Sequence, residues 1–394
     1  MSADTHVQKP QDSSSKAGEK MSAERKKLAK KYENVHNGLF LVDIFYTIVL
    51  ILAFLFIGEQ GGVSGKMFGW IETFCANYWL QVALYSGLLT TAYMACLLPL
   101  SFFSGYYLEH KYELSTQSFG SWLGDKGKSY ALNLLFMVFI AEVLYLFFTW
   151  TEQSWWIWVG IVWVLFGIIL SNVAPVLIMP LFYKFKPLEN DALKERLVKM
   201  AERLNVKIFG VFEMELSSKT KKANAALAGL GNTKRILLGD TLLKNFTDEE
   251  IEVVLAHELG HYCYKHIWQL ILFGGAITFA GLFLVSLIFD NLVIATGFAG
   301  ITDIPAFPLF LLCMFLFTLI SMPVNATFTR ILEKQADNFA LRQTNAPDHF
   351  ISTMKKLADL NLADEEPHPV IEFLMHDHPS ISSRVKVAER YSKR

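Results

Sequence analysis

Six apolar segments constrain this chain more than anything else in it. They run over roughly residues 39–58, 79–105, 129–150, 154–180, 266–290 and 306–329. A helix rises ~1.5 Å per residue, so about 20 residues cross a hydrocarbon core ~30 Å thick. Each segment is long enough. Soluble cores rarely hold several uninterrupted apolar runs of that length, so buried helices of a soluble protein are excluded on length and number. Composition points the same way: 53% of the 394 residues are hydrophobic and 19% are charged, against about 25% charged in an ordinary soluble domain. The net charge of −1 gives no reason to expect a nucleic-acid partner. Cys75, Cys96, Cys263 and Cys313 are scattered without CxxC spacing and read as free thiols in apolar surroundings.

Orientation follows from the Lys/Arg bias of the connecting segments. Residues 1–37 carry eight Lys/Arg, the loop near 59–78 only Lys66, and the loop near 106–128 Lys111, Lys126 and Lys128. The turn at 151–153 and the loop 291–305 carry none, whereas 184–265 and the C-terminal tail are basic. The alternation predicts that both termini, the 184–265 region and the 330–394 tail face the cytosol. Residues 1–37 read as a polar, flexible tail that becomes helical from Ala23 to His36, and they show no signal-peptide pattern.

Between the fourth and fifth spans the pattern changes to that of a small α+β insert. Leu193, Leu197, Met200, Ala201 and Leu204 form a helical stripe. Val206 to Leu216, Asn224 to Leu227 and Arg235 to Leu238 read as strands, with a Gly-rich turn (Gly229, Gly231, Asn232) before the last. A helix then opens on a capping box, Thr247 with Glu250, with Asp248 and Glu249 in its first turn and Ile251, Val254, Leu255 and Leu259 as its apolar stripe. It is expected to run directly into the fifth span.

That helix contains His257-Glu258-Leu259-Gly260-His261, an HExxH. Residues four apart lie one above the other on a helix. His257 and His261 can therefore offer two imidazole nitrogens to one zinc ion, while Glu258, beside them, can act on a water at the ion's open position.

A catalytic zinc site needs a third protein ligand. The metzincin extension would place Gly and His where this chain has Tyr264 and Ile267, so that class is excluded. A Glu some twenty residues downstream is also missing, since 267–289 contains no acid, and Asp290 and Asp303 fall on the opposite side by the charge rule. The first acids back on the metal's side are Glu333 and Asp337, four apart on a helix leaving the sixth span. Glu333 can close the site, and Asp337 can accept the spare N–H of a ligating histidine. The plainer alternative is a solvated helix face on which Arg330 and Lys334 balance the two acids.

With these two stretches in hand, the chain resembles the zinc CAAX prenyl endopeptidases, type I membrane metalloproteases of the gluzincin kind that act on prenylated proteins. Residues 107–115, 174–188, 224–230, 234–243 and 378–380 look like that family too, so the resemblance spans roughly 80–385. It implies one zinc per chain held by His257, His261 and Glu333, with Glu258 as general base. It also implies that Asn224, with Ala225, binds the substrate backbone, that His378 steadies the oxyanion, and that the spans enclose a water-filled chamber. Expected partners are polypeptide substrates, prenylated CAAX proteins first, and the lipid bilayer, in the endoplasmic reticulum or a bacterial inner membrane.

The expected fold is mainly α: a polytopic bundle of about six spans carrying a small cytosolic α+β zinc-protease domain. Its expected divisions are 1–37 tail, 38–186 spans one to four, 187–265 insert, 266–329 spans five and six, and 330–394 C-terminal region with the third ligand. Two other functions are weighed. One is an HtpX-like membrane quality-control protease with no prenyl requirement. The other is an inactive scaffold or transporter, against which Glu258 argues, because a purely structural site has no use for a base. A transporter would show intramembrane charges beyond Asp43 and Glu142.

Overall fold

The computed structural model describes residues 21–58, 61–151, 153–229 and 234–393, so the first twenty residues and most of the Gly-rich turn lie outside the described set. Six described helices are long and apolar enough to cross a membrane. They are α1 (Ala23–Phe56), α3 (Tyr78–Lys111), α4 (Phe119–Thr151), α5 (Trp155–Phe182), α9 (His266–Ala295) and α10, Phe307–Thr344, which a short 3-10 turn from Ile304 precedes. Each predicted apolar segment falls almost wholly within one of them. Between α1 and α3 lies α2 (Gly62–Glu72), 11 residues that the sequence reading passed over. That is about half the length a span requires.

The apolar faces of these helices are mostly not covered by protein. In α5 none of the most apolar 18-residue window is buried, and in α1, α3, α4 and α9 the share is 11–22%. A bundle folded in water would bury a stripe of each helix; here the solvent for those surfaces has to be lipid or an internal chamber. The bundle's tight packing is concentrated in one aromatic cluster, where Tyr85, Tyr145, Phe148, Trp155, Phe289 and Phe307 are all nearly fully buried.

Helix α1 starts at a Ser22 cap, whose hydroxyl accepts from Arg25 N, and continues without interruption into the first span. The helical stretch expected for Ala23 to His36 is thus the same rod as the span. Its polar half is held because Ala29 and Tyr32 pack with Leu108, Tyr112 and Leu362, and because Arg25 and Lys26 pair with Asp359 and Glu365.

The insert forms a four-stranded sheet of order β1-β2-β4-β3. Its strands are β1 (Phe185–Pro187), β2 (Gly210–Met214), β3 (Ala225–Ala228) and β4 (Arg235–Gly239). β1 pairs antiparallel with β2, β2 parallel with β4, and β4 antiparallel with β3. β3 is therefore an edge strand. Helix α6 (Asp191–Arg203), capped by Asn190, packs Leu193 and Leu197 with Val211, Ile236 and Leu238 of the sheet.

After α7 (Asp240–Asn245) comes α8 (Asp248–Cys263), the HExxH helix. The capping box is present in both directions: Thr247 Oγ1 accepts from Glu250 N at 3.3 Å, and Glu250 Oε2 accepts from Thr247 N at 2.8 Å. Ile251, Leu255 and Leu259 face the sheet's core.

One expectation is corrected here. α8 does not run into the fifth span, because the helix ends at Cys263 and Lys265 adopts a left-handed conformation, φ 58°, before α9 begins at His266. A lysine in that region is strained by its Cβ, and the break lets α8 and α9 take separate directions. The C-terminal region folds as α11 (Pro347–Asn361), α12 (Pro369–Met375) and α13 (Ile381–Ser392).

Candidate metal centre

The centre forms where α8 crosses α10. Gly260 makes the crossing close: a Cβ built there would lie 3.2 Å from Ala336 Cα and 3.2 Å from Phe339 Cβ. On one side of that contact stand His257 and His261, and on the other Glu333 and Asp337. The alternative of a solvated helix face fails, since Glu333 is 5% and Asp337 3% exposed.

His257 Nε2 lies 3.2 Å from Glu333 Oε2, His261 Nε2 lies 3.3 Å from Glu333 Oε1, and the two Nε2 atoms are 3.1 Å apart. Four ligands at ~2.0–2.1 Å from a tetrahedral ion are separated by about 3.3–3.4 Å. The two nitrogens and the two carboxylate oxygens of these three residues are thus already spaced for one such ion. Glu333 Oε2 is buried with two imidazole nitrogens at 3.2 and 3.3 Å but no well-aligned hydrogen bond, an acceptor of the kind that a cation satisfies. The residues fit a metal.

Both histidines have their other nitrogen engaged. His257 Nδ1–H donates to Asp337 Oδ1 at 3.0 Å, so Nε2 is the nitrogen turned toward Glu333. Asp337 is gripped in turn by Arg384, whose Nε and Nη2 donate at 2.8 and 2.6 Å. Burial alone would lower the pKa of His257, but Asp337 and Glu333 outweigh it and raise it to about 9 in the metal-free chain. For His261 the partner is another histidine: His261 Nδ1 and His266 Nδ1 are 2.9 Å apart, and His266 Nε2 is 3.1 Å from Gln335 Oε1. An amide oxygen only accepts. His266 must carry its proton on Nε2, accept at Nδ1, and so leave His261 Nε2 free for a metal.

The remaining expected residues are distributed around this trio. Glu258 Oε2 accepts from Leu227 N at 3.4 Å, which places its carboxylate beside edge strand β3. His378 Nε2 reaches to 3.3 Å from Glu333 Oε2, and its Nδ1 donates to Asp377 Oδ1 at 2.8 Å. That hydrogen bond raises the His378 pKa against the opposing effect of burial. Asn224 precedes β3 and is exposed; its carbonyl accepts from Gly239 N at 2.9 Å, and Ala225 pairs with Leu238. Among the described residues no hydrogen bond or ion pair links the Asn224 side chain to the three ligands. Sequence reasoning missed Arg384, His266, Gln335 and Asp377. His266 alone carried a signal, as the next histidine after the motif; Arg384 sits in a basic tail whose spacing says nothing about Asp337.

Comparison with known proteins gives the family. The model of peptidase family M48 matches residues 187–392, and that of the CAAX prenyl protease N-terminal region, described as five membrane helices, matches 5–184. A Bacillus subtilis protein described as an uncharacterized metalloprotease, YhfN, is 29% identical over 92% of this chain and 85% of its own length. CAAX prenyl protease 1 of Saccharomyces cerevisiae is 29% identical over 80% of this chain and 73% of its own. The crystal structure of S. mikatae Ste24p shares the fold, with a TM-score of 0.82 at 24% identity over 93% of this chain and 90% of that one. With an HExxH helix whose two histidines meet Glu333 at a spacing that could hold a metal ion, six long apolar helices and these matches, the chain belongs to peptidase family M48 and is a membrane metalloprotease of the CAAX prenyl protease family.

Proposed function

We propose that this protein is a zinc endopeptidase that hydrolyses a peptide bond near the C-terminus of prenylated CAAX-type proteins, with its site on the cytosolic face. The observation that carries this reading is the position of Glu258: it follows His257 on the helix whose two histidines meet Glu333, and its carboxylate accepts from a β3 amide at 3.4 Å. The prenyl preference is drawn from the relative in Saccharomyces cerevisiae that bears that name, and the cytosolic orientation from the Lys/Arg bias.

His257, His261 and Glu333 would hold the ion, which when bound would supply Lewis acidity toward water and carbonyl oxygen. Asp337 and the His266–Gln335 pair keep the two imidazoles in the tautomer that binds. The substrate lies extended along β3, adding its main chain to the free edge near Asn224 and Ala225, as peptides do at exposed sheet edges. Glu258 takes the proton of the attacking water and passes it to the leaving amine. His378 donates from Nε2 to the developing oxyanion; Asp377 favours the doubly protonated ring that has this N–H to give.

The test is cleavage of a farnesylated CAAX peptide and its unprenylated twin by the purified full chain, with and without a zinc chelator. The reading requires chelator-sensitive cleavage with the farnesylated peptide preferred by kcat/KM. Equal cleavage of both peptides would favour a quality-control protease, and cleavage indifferent to the chelator would refute the metal mechanism.

A further inference from the structure

The C-terminal segment lies across α10 as a strap, attached at three positions that share one face of that helix: Arg330, Glu333 and Asp337. At the last of these Arg384 forks onto Asp337. At the first, Arg330 Nη1 donates to the carbonyls of Glu372 at 2.6 Å and His376 at 2.5 Å, and Nη2 to that of Phe373 at 3.5 Å. Two of these carbonyls belong to the last turn of α12 and the third to the residue after it, the end where a helix leaves acceptors unsatisfied and favours a cation. Among the described residues Arg330 makes no ion pair; its other contact is Thr327 Oγ1 at 2.8 Å.

Between the two arginines hangs the loop 376–380 that carries His378. Its far end is tied as well, since Ser380 N donates to Glu372 Oε1 at 3.1 Å. The His378 side chain is 52% exposed, so packing does not fix where its Nε2 points. The ring is turned by its hydrogen bond to Asp377 Oδ1, and the ties at the loop's ends set where that pair of residues sits.

We propose that Arg330 is a positioning residue for catalysis: by gripping the carbonyls at the start of the loop it holds His378 at the distance from Glu333 that the reaction needs. Arg330 stands one turn before Glu333 on the same helix, so the ligand and the oxyanion donor are referenced to one rigid element. This inference rests on the reading that His378 stabilises the oxyanion. A misplacement of about 1 Å in such a group can cost about 100-fold in rate.

The experiment is a double-mutant cycle on the full chain in detergent, reading kcat, KM and zinc per chain for Arg330→Gln, His378→Ala and the pair. Arg330→Gln is expected to lower kcat by about tenfold or more, but no further than His378→Ala, whose loss should be about 10²–10³. KM and zinc content are expected to stay at wild-type values, and in the His378→Ala background Arg330→Gln should cost less than about twofold. Arg330→Lys, which keeps the charge but cannot span three carbonyls, should recover part of the loss and supplies the same cycle should the glutamine variant not fold. Wild-type kcat in Arg330→Gln beside a loss in His378→Ala, or losses that multiply, would overturn the role given to Arg330 alone. Wild-type kcat in His378→Ala would overturn the oxyanion reading itself, and the role of Arg330 with it.

Discussion

At the scale of single residues, the centre is a set of groups each of which is held by a second. Asp337 illustrates the cost of that arrangement. Its carboxylate is 3% exposed and is stabilised by a forked arginine and an imidazole N–H; without them a buried charge would be expensive. Its work is to hold one histidine in one tautomer. Asp337→Asn keeps the shape but weakens the acceptor, and partners of this kind are worth about 10–100-fold in metal affinity. We expect a zinc dissociation constant raised by that factor, measured by competition with a chromophoric chelator; an unchanged constant would remove Asp337 from the account. HExxH made His257, Glu258 and His261 legible in sequence because a helix turns their spacing directly into proximity. Glu333 was reached by elimination, since the intervening chain holds no acid on the same side. Arg384 and His378 could not be reached from local pattern, because their approach to the site is set by a strap that closes more than a hundred residues after the motif.

The decisive element is the crossing of α8 and α10. The two helices meet closely at Gly260, where even a Cβ would lie 3.2 Å from Ala336 Cα and Phe339 Cβ, so that a larger side chain has to push them back. Gly260→Val is expected to separate the helices and to pull His257 and His261 away from Glu333. The chain should then lose bound zinc while keeping its helical circular dichroism, whereas zinc retained at one per chain would show that the crossing tolerates separation. Sequence patterning gave helix α8 and its cap accurately, because a capping box and an apolar stripe are local signals. It mistook the end of α8 for continuity with the fifth span. The residues 262–266 contain neither Gly nor Pro, and the break rests on Lys265 in a left-handed conformation that its residue type disfavours. β1, three residues long, carried too little pattern to be read at all.

For the molecule as a whole, the unburied apolar windows of the long helices are the main energetic fact. They decide that the folded state exists only with a bilayer or its substitute around it. Leu165, 53% exposed in the middle of α5, is a test point. Leu165→Arg is expected to cost about 3–4 kcal/mol of insertion free energy, seen as reduced yield from membranes, while Leu165→Phe should express normally. Equal yields would mean that this face of α5 does not meet lipid. A hydrolytic site at the end of such a bundle lies close to the bilayer, which is the physical argument for the lipidated substrate proposed above. The account depends most on the claim that His257, His261 and Glu333 bind the ion while Glu258 does the proton transfer. It is tested most directly by measuring zinc content and peptide cleavage together in the purified Glu258→Gln protein. The account predicts one zinc per chain, as in wild type, with kcat reduced by a factor of about 10²–10⁴. Cleavage at the wild-type rate by that zinc-loaded variant would contradict it.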